Sequence, residues 1–532
     1  MSSWESIASS KREALSSSIP PEWRIPASQL PPESQTSVVS WPKDSGFFTS
    51  AELEITSLSA SELLPRIHSG SYTAENVTRA YCKRAAVAQQ LVNCLSETLF
   101  DSAIERAKEL DAHFARTGKP VGPLHGLPVS LKDNFQVAGK DSTVGFVSWV
   151  GKPATTNSAM VDLLADLGAV AYVKTNVPTA MMIAETVNNV FGRTVNPLNR
   201  KLTSGGSSGG ESALIAFGGS ALGVGTDIGG SLRIPAAMTG IYTLRPSFGR
   251  FPTRGAKSGL AGQEAVNSVN GPMARTLADI ELFSKLVVGA EPWKVDPKCL
   301  PIPWREVGVA NKLKIGVLWH DGLVEPTPPV QRALKHTADR LRQAGHEVVD
   351  WSPELHGEIL QVLEAFFVAD GGETLKTILE PANEPWRPEM DMYNKAKELP
   401  VSQMWSLQAK RSQLNTTYLS RLQKAGLDAI LCPTTPYACT ENTKFKYVGY
   451  TGVFNVLDYA AVSFPTGLKA DQSLDVATSG QKSWNEYDEQ TRNDYNAAAV
   501  NGMPISLQLV AGRLEEEKLI AMTRKVLQSL QS

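Results

Sequence analysis

The segment Thr203-Ser204-Gly205-Gly206-Ser207-Ser208-Gly209-Gly210 decides the reading of this chain. After an apolar, helix-like stretch it continues as Gly225-Thr226-Asp227-Ile228-Gly229-Gly230-Ser231-Leu232-Arg233-Ile234-Pro235. Glycine pairs stand where backbone must bend or come close to a ligand, and consecutive amides in such turns form an anion-binding concavity. A serine at that point can act as a nucleophile. A Gly-Gly-Ser turn alone is an ordinary loop, so its weight comes from what accompanies it.

A serine hydroxyl is unreactive until a base takes its proton. The seven histidines, His68, His113, His125, His320, His336, His346 and His356, all lie outside the Gly/Ser segment. Lysine is the other base available. The run Gly126-Leu127-Pro128-Val129-Ser130-Leu131-Lys132-Asp133-Asn134 puts Lys132 at the end of a predicted strand, and the carboxyl ends of strands in open α/β sheets commonly hold the site. Its apolar setting would depress the amine from the reference pKa of about 10.4. Asp227 and Arg233 flank Ser231 and are expected to pair and fix the loop.

Outward from this segment, β-like runs at 128–131, 169–173, 314–318, 346–350, 428–431 and 505–510 alternate with helical stretches. Such alternation predicts an α/β fold: a large mixed, mostly parallel twisted sheet covered by helices on both faces. Before it, Thr73 can cap a helix whose face carries Val77, Ala80, Tyr81, Ala85 and Ala88. A second helix shows Ala103, Ala107, Leu110 and Phe114 at the same spacing. The expected organisation is an N-terminal helix and extended arm over 1–70, packed on a single α/β/α domain at 71–532. Residues 353–425 read as a mainly helical peripheral lobe.

Of the 532 residues, 42% are hydrophobic and 20% charged, enough for a large core. Lys plus Arg number 52 against 54 Asp plus Glu, which leaves no cationic surplus for a nucleic acid. The five scattered cysteines, Cys82, Cys94, Cys299, Cys432 and Cys439, have no C-x-x-C spacing for zinc and fit a reducing, cytoplasmic setting. Charged residues interrupt the N-terminal segment where an export signal would be apolar. The uncharged run 212–226 falls short of the roughly 20 residues of a membrane helix, so no transmembrane segment is expected.

With Lys132, Ser207 and Ser231 in place, the chain resembles the amidase signature enzymes, most closely their fungal acetamidase branch. The likeness covers 126–134, 173–178, 191–197, 205–235, the 433–436 turn and 502–508. The resemblance implies a relay in which Lys132, Ser207 (held by a cis peptide) and Ser231 handle the proton. It also implies an oxyanion hole from the backbone amides of Ile228, Gly229, Gly230 and Ser231. Met181 and Met182 would border the acyl pocket, with core packing as the plain alternative. The implied activity is hydrolysis of short aliphatic amides such as acetamide, with no metal or organic cofactor, in a homodimer. Fatty acid amides, carbamates and esters are alternative substrates, and an amide-transfer subunit is a second role.

Three other readings compete with this one. Gly205-Gly206-Ser207-Ser208-Gly209 matches the G-x-S-x-G nucleophile elbow, although no strand clearly precedes it. Gly223, Gly225 and Gly229 imitate a dinucleotide loop with the third glycine one position late. His125 could serve as the base, although a histidine before a strand is more commonly structural.

Overall fold

The computed structural model describes residues 3–477 and 482–531; Met1 and Ser2 of the expected N-terminal arm lie outside them. Its centre is an eleven-stranded sheet. In spatial order the strands are Leu95–Thr98, Val170–Thr175, Pro128–Lys132, Leu222–Asp227, Val269–Ala274, Tyr242–Arg245, Ala461–Lys469, Pro504–Val510, Ala429–Pro433, Lys314–Val317 and Glu347–Asp350. All six anticipated strands are present, with ends within two residues of expectation. Every residue of Pro128–Lys132, Leu222–Asp227, Val269–Ala274 and Ala429–Pro433 is buried, so helices and loops cover both faces there.

The sheet is mixed. Parallel pairing is concentrated in two blocks, one of Val170–Thr175, Pro128–Lys132 and Leu222–Asp227, the other of Ala429–Pro433, Lys314–Val317 and Glu347–Asp350. Between them the pairs are antiparallel. The strands beyond the six anticipated are Leu95–Thr98, Leu222–Asp227, Tyr242–Arg245, Val269–Ala274 and Ala461–Lys469, which alternation alone had not suggested. Glycine or proline interrupts three of them.

Thr73 caps the helix Ala74–Val92, its hydroxyl accepting from the Asn76 amide at 3.1 Å. The next helix, Phe100–Thr117, buries Ala103, Ala107 and Leu110. Both feed one core that runs from Ile19 to Val526. The N-terminal helix Trp4–Ser17 is tied down by Lys11, which bonds Glu97 and, at 2.8 Å, Asp141. Residues 353–425 contain the helices His356–Phe367, Glu373–Leu379 and Val401–Ala425. They pack with Gly449–Leu457 in a second apolar cluster that adjoins the Ser231 loop. No described helix is long and apolar enough to cross a membrane.

Candidate active site

Lys132 ends its strand, and Thr226 stands one residue from the end of the parallel neighbour Leu222–Asp227. The register pairs Leu131 with Val224, which brings the two side chains together at the same sheet edge. Lys132 Nζ lies 2.8 Å from Ser207 Oγ and 2.7 Å from Thr226 Oγ1, and the lysine is fully buried. Burial pushes its pKa down to about 7 and outweighs the upward pull of Asp227, Glu211 and Asp133. Glu211 is itself buried and pushed up to about 8. It is therefore largely protonated at neutral pH, where a substantial fraction of Lys132 is an uncharged amine that can accept the Ser207 proton. Asp133 is occupied elsewhere, accepting from Ser96 Oγ and the Val144 amide, each at 2.7 Å.

Ser207 follows a cis peptide bond to Gly206. A Cβ at Gly206 would sit 2.8 Å from the Ile183 carbonyl oxygen, so the approach of these backbones requires glycine. The strand Asn199–Thr203 precedes this turn and the helix Gly209–Ala216 follows it, contrary to the expectation that no strand would. That strand lies outside the large sheet, pairing in a hairpin with Val195–Asn196 and through a single bridge from Leu202 to Glu441. The partner of the Ser207 hydroxyl is a lysine, which argues against the elbow reading.

The Ser231 loop is built around Asp227. Its carboxylate accepts from the Gly230 amide (2.8 Å), the Leu232 amide (3.2 Å), Arg233 Nε (3.0 Å) and Nη2 (3.1 Å), and Asn455 Nδ2 (2.8 Å). Burial would raise the Asp227 pKa, but the Arg233 guanidinium holds it well below the usual carboxylate range. The pairing expected from sequence is thus present, fully buried on both sides. Arg233 also donates to Asn455 Oδ1 and Gln508 Oε1. Gln508 in turn donates to the carbonyls of Pro433 and Tyr450, which explains why the 433–436 and 502–508 segments matter to a distant loop.

One amide in the loop differs from expectation. The Gly230 N–H is committed to Asp227, whereas those of Ile228, Gly229 and Ser231 have no acceptor among the described residues. The Ser231 hydroxyl has no hydrogen-bond partner among the described residues either. It opens into a cavity of about 440 Å³, with Gly206, Ile228 and Gly229 beside it. Ser207, Ser231, Thr226, Ile228 and Met181 also share a small recess at the cavity floor. Lys132 and Ser207 are in contact, then, while Ser231 borders the same recess without a closed hydrogen bond to Ser207.

Met181 and Met182 line the cavity and also pack against the second apolar cluster. Ala180 and Met181 have φ of 60° and 59°, a region non-glycine residues rarely occupy and one that clusters at functional sites. His125 precedes the Pro128–Lys132 strand, about 20 Å of chain from Lys132 at its far end. Its Nδ1 accepts from the Val121 amide and its ring abuts His68, so it is structural. Gly223 and Gly225 lie inside a buried strand, where a Cβ would meet Glu211 Oε1 at 2.4 Å or Leu232 at 2.8 Å. They serve close packing, not a phosphate loop.

Sequence reasoning missed Thr226, Glu211, Thr451, Asn455 and the wall formed by Leu360, Leu363 and Phe367. Thr226 stood inside the quoted segment and Glu211 directly after its first part, but only the strand register at Thr226 and the packing of the helix Gly209–Ala216 bring them to Lys132.

The amidase family model matches residues 76–520. Acetamidase of Emericella nidulans is 41% identical over 98% of both chains, and acetamidase of Aspergillus oryzae 39% identical over 98% of both. Among solved structures, a fatty acid amide hydrolase superposes with a TM-score of 0.95 at 33% identity, covering 99% of this chain and 95% of that one. From the match along most of its length, together with a lysine and two serines gathered at one sheet edge, the chain belongs to the amidase family.

Proposed function

We propose that the protein hydrolyses carboxylic amides to acid and ammonia or amine through an acyl-Ser231 intermediate. The observation that carries this reading is the 2.8 Å contact of a buried Lys132 amine with Ser207, beside the open Ser231 hydroxyl. Neutral Lys132 takes the Ser207 proton as Ser207 takes that of Ser231, and Ser231 Oγ bonds to the amide carbon. The carbonyl oxygen becomes an oxyanion facing the free amides of Ile228, Gly229 and Ser231; losing one such donor typically costs about 3 to 4 kcal/mol of barrier. The C–N bond breaks as Ser207 returns a proton to the departing nitrogen. Water then attacks the ester by the same relay, releasing acid and restoring Ser231. The open Ser207–Ser231 link fits a ligand-free site, in which catalytic hydrogen bonds tighten on substrate binding.

The relatives named acetamidase support short aliphatic amides as substrates. One observation favours a second reading. A cavity of about 440 Å³ walled by Met181, Leu360, Leu363 and Phe367 falls in the range that encloses drug-sized ligands and far exceeds acetamide. Ammonia release from primary amides of increasing chain length separates the two: a maximum at two carbons supports the first, a maximum at six or more the second. No release from any of them would overturn the hydrolase reading. A cytoplasmic location is supported by five buried cysteines, none in a disulfide. The homodimer rests on family resemblance and is tested by light scattering.

A further inference from the structure

The helix His356–Phe367 turns Leu360, Leu363, Glu364 and Phe367 toward the cavity that Ser231 opens into. These positions are spaced three, one and three apart and form one helical face. Three are apolar and the fourth is a carboxylate. A glutamate in such a stripe ordinarily bends out to water or finds a cation, yet Glu364 is only partly exposed and has no ion pair among the described residues.

Two other carboxylates border the same cavity, and both are neutralised. Glu185 pairs with Arg193 at 2.5 Å and accepts the amides of Thr443 and Phe445. Glu389 pairs with Arg387 at 3.0 Å and with Arg193 at 3.4 Å. Lys446 also borders the cavity, but its side chain lies in solvent, where its field is screened. Glu364 is therefore the uncompensated carboxylate of the cavity wall among the described residues, and burial raises its pKa.

Two aromatic rings stand by it. Tyr447 and Tyr487 line the cavity with ring centroids 5.5 Å apart, and the charge of Glu364 acts on both phenols. The Tyr447 hydroxyl is tied to Asp321 Oδ2 at 2.5 Å, which fixes that ring. A partly desolvated carboxylate with two tyrosine rings on the same cavity wall is the chemistry that receives an organic cation such as an ammonium, amidinium or guanidinium.

We infer that Glu364, Tyr447 and Tyr487 form an outer subsite that binds a positively charged group carried by the substrate away from the scissile amide. The assignment deepens the amide-hydrolase reading and rests on it for the word substrate. The preferred substrates are accordingly amides with a basic nitrogen several bonds from the carbonyl, whose chain lies along Leu360, Leu363 and Phe367. Glu364 determines specificity and takes no part in proton transfer.

The test uses ω-amino amides and n-alkyl amides of matched length, bound to the Ser231→Ala protein and measured by calorimetry. For at least one length the cationic member should bind about tenfold more tightly than its neutral partner, as a carboxylate and cation–π contact of about 1.4 kcal/mol would give. Glu364→Gln, added to that background, should abolish the preference and leave the alkyl amides unchanged; Tyr487→Leu should reduce it. Equal binding of both series, or a preference that survives Glu364→Gln, would overturn the subsite. Turnover by the unmodified chain is read separately: a charge preference in binding without ammonia release would defeat the hydrolase reading alone.

Discussion

Replacing Asp227 by alanine should cost more stability than any other single change in the Ser231 loop. The side chain accepts five hydrogen bonds and faces a fully buried Arg233. Its loss strands a cation in the interior, for which breaking a buried pair typically costs about 3 to 5 kcal/mol. The Gly230 and Leu232 amides and Asn455 Nδ2 also lose an acceptor, so the lower end of that range is a floor. Arg233 keeps Asn455 and Gln508, which limits the rise. The pKa of Asp227 is held low in the folded state, so the pair's stabilisation is complete above the ordinary carboxylate pKa of about 3.9 and lost only as pH falls through the depressed value. Neutral pH therefore reports the whole effect. Urea unfolding followed by tryptophan fluorescence should show a loss of at least about 3 kcal/mol for Asp227→Ala. Adding Arg233→Met should recover at least about 1 kcal/mol by removing the stranded charge. A loss below about 1 kcal/mol, or a double variant no better than the single one, would refute the idea that this pair holds the loop.

Further outcomes follow from the same geometry. Gly230→Ala should lower kcat/KM by at least about a hundredfold, because φ is +133° and a Cβ would lie 2.3 Å from Thr451 Oγ1, which holds the Gly229 carbonyl; ammonia-release kinetics check it. Thr226→Val should lower kcat by about tenfold and move the acidic limb of the pH profile to lower pH, since it removes an acceptor that favours charged Lys132. His125→Ala should leave kcat/KM of the folded protein within about twofold, because that ring lies at the opposite end of the strand from Lys132. A drop of a hundredfold there would restore histidine as the base.

Much of the site was legible because its chemistry sits in two compact stretches. A lysine ending an apolar strand and two serines among glycine pairs have few joint explanations. The strands at 128–132, 170–175, 314–317, 347–350, 429–433 and 504–510 were readable because they are mainly apolar runs of strand-forming residues. Leu222–Asp227 was not, since Gly223 and Gly225 remove the side chains by which a strand is recognised. Those glycines exist to admit Glu211, Ser208 and Leu232, which are far from visible as neighbours in sequence. Val269–Ala274 hides behind Gly271 and Pro272, and Ala461–Lys469 behind Pro465 and Gly467. The occupied Gly230 amide needed coordinates, because nothing in a Gly-Gly-Ser turn tells which amide an aspartate three residues earlier will claim.

The proposed relay depends on a lysine that sheds its proton near neutrality, and the pH dependence of Ser231 acylation reads that directly. A fluorophosphonate should label one peptide, containing Ser231, at a rate that climbs with pH and reaches half its maximum near the value of about 7 set by burial of Lys132. Lys132→Ala should slow that labelling by about a hundredfold to ten-thousandfold. A rate that is flat between pH 5.5 and 9, or a label carried by a peptide without Ser231, would contradict it.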